Sequence, residues 1–122
     1  MKIKGLALIS IPVKDQDISK KFYHDVFGFE IARESAFKPD AKWIELTITG
    51  SNTRITLVNW FPSMPAGSVR GIVLLTEDVK QAHQALKDNG AEPEDLQSAP
   101  WGVYFTVNDP DGNSWVIQES RS

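Results

Sequence analysis

The sequence predicts an α+β fold. Two tandem β-α-β-β-β modules present mostly antiparallel strands that curve around a cleft. Three observations carry this. A strand–Asp–helix–Gly pattern occurs twice, with Asp15 13 residues ahead of Gly28 and Asp78 12 residues ahead of Gly90. Each occurrence is followed by further strand-like segments. The Pro/Gly-rich stretch FPSMPAGS, residues 61–68, stands between the two. An internal repeat constrains the fold more strongly than any one element does. A ferredoxin-like α+β domain with a chance internal likeness is the other fold the pattern allows. The modules then cover about 1–60 and 69–122, joined by the 61–68 linker within one domain of ordinary size.

The elements follow in order. Gly5 to Val13, GLALISIPV, is short, apolar and rich in β-branched residues, and predicts a strand. Asp15 and Asp17 are N-cap candidates. Ile18, Phe22 and Val26 recur at helical spacing and predict a helix to about Phe27, with Gly28 at its C′ position. Phe29 to Arg33 predicts a short strand. Lys42 to Thr49 and Thr53 to Trp60 predict a hairpin around Gly50, Ser51 and Asn52. The pattern then restarts with an apolar strand from Gly71 to Thr76. Asp78 caps a second helix, with Gln81 in the capping-box position and Val79, Ala82 and Leu86 as its buried stripe. Ala91 to Glu94 predicts a short strand, Gly102 to Val107 another, and Ser114 to Glu119 the last. Between the final two, Asp109-Pro110-Asp111-Gly112 has the residues of a type I turn.

Strand side chains alternate between faces, so each strand sorts by parity. One set is apolar: Ile9, Ile11, Val13, Ile44, Leu46, Ile48, Ile55, Leu57, Trp115 and Ile117. It belongs against the helices. The other set is mixed and includes Trp43, Glu45, Arg54, Thr56, Trp60 and Gln118. Large aromatics with a few polar groups suit a small-molecule pocket; a plain solvated sheet face is the competing reading. Tyr104 shares the parity of Gly102 and Thr106, which aims it at the same face. Trp101, at the entrance to its strand, is either a pocket wall or a loop anchor.

Composition removes several function classes. There are no cysteines, hence no disulfides, thiolate nucleophiles or Cys-based zinc sites. The net charge of −3 and pI of about 5.3 give no nucleic-acid footprint. No apolar run reaches the ~20 residues that cross a bilayer, and the N-terminus reads as a strand rather than a signal peptide. The cytoplasm is the expected compartment. GxSxG, P-loop and GxGxxG motifs are missing. Asp109 and Asp111 are explained by their turn, and Glu92 to Leu96, EPEDL, reads as a solvated acidic loop.

With the repeat established, IPVKD followed by ISKKFYHDVFGFE resembles the opening of a vicinal oxygen chelate domain, the superfamily of glyoxalase I, bleomycin- and fosfomycin-resistance proteins and extradiol dioxygenases. NDPDGNSWVIQE is similar to that superfamily's last turn and strand, and the resemblance covers essentially the whole chain. It implies one divalent metal held by His and Glu at one position on each of four strands. Those positions fall here on Leu8, Thr56, Gly71 and Val116. Leu, Gly and Val have no donor atoms, and a neutral Thr hydroxyl is a poor ligand. His24 and His83, the only histidines, lie on predicted helices.

The resemblance therefore implies a metal-independent, cofactor-free relative of the bleomycin-resistance proteins. Such a protein binds a drug or a planar, aromatic or cationic metabolite without chemistry, and forms a homodimer. Trp43, Trp60 and Trp101 would supply stacking surface, with Thr56 and Tyr104 on the same wall. Glu45, Arg54 and Gln118 would orient the ligand, although Glu45 could equally pair with Arg54. The alternatives are a metal-dependent lyase, isomerase or dioxygenase with displaced ligands, and an accessory domain with no pocket.

Overall fold

A computed structural model describes residues 1–120. The chain divides into two compact units between Ala66 and Gly67, inside the Pro/Gly-rich stretch. The first contains β1 (Leu8–Pro12), α1 (Gln16–Asp25), β2 (Glu30–Lys38), β3 (Ala41–Thr47) and β4 (Arg54–Val58). Its sheet has the order β1-β4-β3-β2, with β1 parallel to β4 and the remaining pairs antiparallel. The second contains β5 (Ile72–Thr76), α2 (Val79–Asp88), β6 (Gln97–Ala99), β7 (Gly102–Asn108) and β8 (Ser114–Glu119). Its order is β5-β8-β7-β6, and β5 is again parallel to β8. The repeat read from sequence is thus a repeat of topology.

Parity put the apolar set inward, although Glu45, Thr56 and Val58 of the mixed face are buried as well. Ile11, Ile44, Leu46, Ile55 and Leu57 are fully buried in the first unit, and Phe105, Val107 and Trp115 in the second. Both helices start where an Asp can accept backbone N–H groups. Asp15 Oδ1 accepts from Asp17 N and Ile18 N, each at 3.0 Å, and Asp78 Oδ1 accepts from Gln81 N at 3.0 Å. Asp17 lies inside the first turn, where its carboxylate meets Lys42 at 3.2 Å.

The buried face of α1 differs from the expected stripe. Gln16, Ser19 and Tyr23 face inward, while Ile18 is 58% exposed. The cause is Gln16. Its amide donates to the carbonyls of Lys42, at 2.7 Å, and Leu57, at 2.8 Å, and its Oε1 accepts from Lys42 N at 3.0 Å. Buried backbone groups need such partners, and supplying them rolls the helix. Tyr23 then packs among Phe22, Phe27 and Phe29. In α2 the expected Val79 and Leu86 are the buried residues.

Two strands depart from the expected ranges. β2 runs to Lys38 rather than ending at Arg33, with irregular register between Ile31 and Arg33 and between Ala36 and Lys38. Every residue of this edge strand is exposed. The ladder to β3 holds it in place of burial, so no apolar alternation marks its second half. β6 is Gln97–Ala99, not Ala91–Glu94. Ala91 N still bonds back to Leu86 O at 2.9 Å, which belongs to the exit of α2, and Pro93 has no N–H for a ladder.

The turn after β7 is built around one carboxylate. Gly112 N donates to Asp109 O at 3.1 Å, and Gly112 takes φ +95°, open to glycine at little cost. Asp109 Oδ1 accepts from Asp111 N and Asn113 N, and Oδ2 from Asn113 Nδ2 at 2.7 Å. Asn113, fully buried, in turn accepts from Val69 N at 3.0 Å. The Asp109 carboxylate of DPDG therefore acts in the turn, and β8 follows with Trp115 and Ile117 packed inward.

Candidate functional site

The mixed face of the first unit's sheet gathers five of the residues singled out from sequence: Trp43, Glu45, Arg54, Thr56 and Trp60. Trp43 and Glu45 come from alternate positions of β3. Glu45 is in register with Thr56 on β4. Trp60 lies two residues beyond the end of β4, outside the strand expected to contain it. It still reaches Trp43, the two rings lying 6.1 Å apart and 26° from parallel.

Phe37 completes this aromatic surface. Its ring centroid is 4.7 Å from Trp60 and 5.6 Å from Trp43, and Phe61 lies 6.1 Å beyond Trp60. Phe37 and Phe61 remain 47% and 44% exposed, so the cluster is an open aromatic surface rather than a sealed core. Sequence reading missed both. Phe37 lay past the assumed end of β2, and Phe61 lay in the linker. Continued pairing of Ser35 with Trp43 is the signal that places Phe37, and only the ladder supplies it.

Glu45 organises the polar side of this surface. Its Oε2 accepts from Trp43 Nε1 at 2.6 Å, and its Oε1 accepts from Arg54 Nη1 at 3.0 Å. The hydrogen bond from Trp43, then that from Arg54, holds the carboxyl below its ordinary range, against the opposing effect of burial. The ion-pair reading of Glu45 is therefore the one realised, with both carboxylate oxygens engaged. Beside it lies an open depression of about 380 Å³ lined by Arg33, Ser35, Ala36, Phe37, Trp43 and Glu45.

A larger depression, about 480 Å³, adjoins the start of α1. Its lining includes Lys14, Lys38 and Lys42 but also Asp15, Asp17 and Asp40, and no aromatic ring. Charges of both signs without stacking surface make it the weaker candidate.

The remaining three predicted residues meet in the second unit. Tyr104 is in register with Gln118, and the Trp101 ring lies 4.7 Å from Tyr104. Tyr104 has the predicted parity, since Phe105 and Val107, the alternate positions that follow it, are buried. On the same face Val73 and Leu75 are 48% and 66% exposed. The strand positions of this face carry no charged side chain.

The four positions where the superfamily resemblance implies metal ligands do not fit a metal. Leu8, Gly71 and Val116 offer no side-chain donor. Thr56 is fully buried, and its Oγ1 has no hydrogen-bond partner among the described residues. One neutral hydroxyl does not replace about three imidazole or carboxylate ligands. Among the described residues, no group of three or more His, Cys, Asp or Glu side chains is placed to hold a metal ion. His24 and His83 instead contact backbone carbonyls, Phe29 O and Glu94 O, each at 2.8 Å.

Comparison with known proteins agrees with this architecture. The chain is 34% identical to TnmS3, an antibiotic binding protein from Streptomyces sp. CB03234, with a TM-score of 0.92 and 99% of each chain covered. It is 35% identical to a glyoxalase/bleomycin resistance protein from the same organism, with a TM-score of 0.84 over 93% of this chain and 99% of that one. It is also 32% identical to the uncharacterized protein YetH of Bacillus subtilis (strain 168), covering 96% of this chain and 99% of the relative. The family model matches residues 5–117, and the chain belongs to the Glyoxalase/Bleomycin resistance protein/Dioxygenase superfamily.

Proposed function

We propose that this protein binds a small planar aromatic molecule, a drug or an aromatic metabolite, without a metal ion and without chemistry. The observation that carries the proposal is the open Phe37–Trp43–Trp60–Phe61 surface beside the engaged carboxylate of Glu45. Exposed ring faces are poorly hydrated in the free protein and would be covered by a flat apolar ligand. The lack of donors at the four coordination positions supports binding over metal catalysis. The antibiotic-binding relative at 34% identity supports the same direction. Trp101, Tyr104 and Gln118 form a second polar–aromatic group suited to the same kind of ligand.

We extend the proposal to a homodimer in the cytoplasm. The uncovered apolar side chains of Val73 and Leu75 support a second copy as their cover. No helix among the described residues is long and apolar enough to cross a membrane. Sedimentation equilibrium should return twice the mass of the chain; a single-chain mass at micromolar concentration would remove the dimer.

The direct test of binding is a thermal-shift screen of planar antibiotics and aromatic metabolites. A true ligand at a hundredfold excess over Kd stabilises by about 2.7 kcal/mol. The Trp60→Ala variant should keep its circular dichroism spectrum, because Trp60 lies outside the strands, and lose about tenfold or more in affinity. A screen without a single saturable hit would sink the proposal, and unchanged affinity in the variant would take Trp60 out of the site.

Glu45 adds a pH dependence. Its folded carboxyl titrates below its ordinary value, so its stabilisation is complete above the unfolded pKa of about 4.3 and fades as pH falls through the lower folded value. At pH 7 the Glu45→Gln variant should be less stable by roughly 1 kcal/mol, since Arg54 is partly exposed and Gln can still accept from Trp43. The gap should close under acid conditions in urea unfolding curves. A gap that stays constant between neutral pH and pH 3 would contradict this role.

A further inference from the structure

The ligand's charge is set by the side chains around the aromatic surface. Three cations border it: Arg33, Lys38 and Arg54. Arg33 lines the 380 Å³ depression together with Phe37, Trp43 and Glu45. Lys38 Nζ stands 5.7 Å from the Phe37 ring centroid and 5.9 Å from that of Trp60. Arg54 is bound to Glu45.

Among the described residues that line this depression Glu45 is the one carboxylate, and Arg54 and Trp43 already occupy its two oxygens; Lys38 also borders the larger depression, with Asp15, Asp17 and Asp40. Glu30 lies at the far end of β2, opposite Thr47. The Arg33 guanidinium forms no hydrogen bond or close ion pair with a described residue, and only the longer-range attraction of Glu45 reaches it. The Lys38 ammonium likewise has only its ring contacts among the described residues, and Asp40, two residues on, makes no ion pair with it. The whole chain carries a net charge of −3, so this local excess of positive charge runs against the background.

Resting on the small-molecule reading above, we infer that the ligand is a planar aromatic anion, whose ring lies against Phe37, Trp43 and Trp60 and whose acidic group is met by Arg33 and Lys38. An unpaired guanidinium beside an aromatic floor offers a forked, charge-assisted donor set to a carboxylate or phenolate. Lys38 can exchange a weak ring contact for an ion pair. A cationic ligand over the rings would instead meet two like charges, with the carboxylate of the aromatic depression, Glu45, already engaged by Arg54 and Trp43. The strand positions of the second unit's face with Tyr104 and Gln118 carry no charged side chain, so discrimination by charge resides in the first unit.

Three matched probes test this by calorimetric titration at low ionic strength: naphthalene carboxylate, naphthalene methanol and naphthylmethylammonium. The carboxylate should bind most tightly and the ammonium about tenfold more weakly or worse, with the difference shrinking as salt is raised. Arg33→Gln and Lys38→Gln, both at exposed positions, should each lower carboxylate affinity by roughly three- to tenfold and leave the alcohol unchanged. Equal or tighter binding of the ammonium, with the alcohol still bound, overturns the charge assignment while the small-molecule reading stands. Loss of alcohol affinity in both variants assigns them to packing and also overturns it. No binding of any probe removes both readings together.

Discussion

The carboxylate of Glu45 is the constraint on which the candidate site depends. It is a buried charge on the outward face of a sheet, and it is tolerable there because each oxygen has a donor. One donor is the indole of Trp43, so the charge fixes the ring that anchors the aromatic surface. The other is Arg54, so β3 and β4 are tied together on that face as well as by their ladder. Remove the carboxylate and the tryptophan becomes a rotamer-free ring with an unpaired N–H. The candidate site is thus a polar clamp under an apolar surface.

The two modules repeat one topology but not one chemistry. Register makes the correspondence exact in residue terms: Glu45 opposes Thr56 in the first, and Thr106 opposes Val116 in the second. Thr56 likewise opposes Ser10 across the parallel pair, as Val116 opposes Val73. Where the first module has an ion pair and a buried hydroxyl, the second has Thr and Val. Duplicated backbone with divergent side chains leaves one charged, aromatic face and one neutral, half-apolar face.

Much of this was legible in the sequence, for physical reasons. Alternation named the apolar residues that face inward, although Glu45, Thr56 and Val58 on the other face are buried too, and the Asp caps marked both helix starts. Trp43, Glu45 and Arg54 were placed on one face by parity alone. The failures have equally specific causes. The roll of α1 depends on Gln16 reaching the backbone of two distant strands, contacts separated by 26 and 41 residues that no local spacing encodes. The second half of β2, and Phe37 with it, was invisible because an exposed edge strand needs no apolar pattern. The pairing of Glu45 with Arg54 was only one of two alternatives until distances decided it, and the bond from Trp43 was not foreseen.

The central claim is that ligand capture here needs no divalent ion, since Leu8, Gly71 and Val116 carry no donor and Thr56 offers a single hydroxyl. The most direct measurement pairs elemental analysis with calorimetry on the same sample, before and after exhaustive chelation, using a ligand found by screening. The account predicts sub-stoichiometric metal throughout and an affinity that chelation leaves unchanged. Binding that disappears with the metal and returns on adding one equivalent of nickel, zinc, iron or manganese would contradict it.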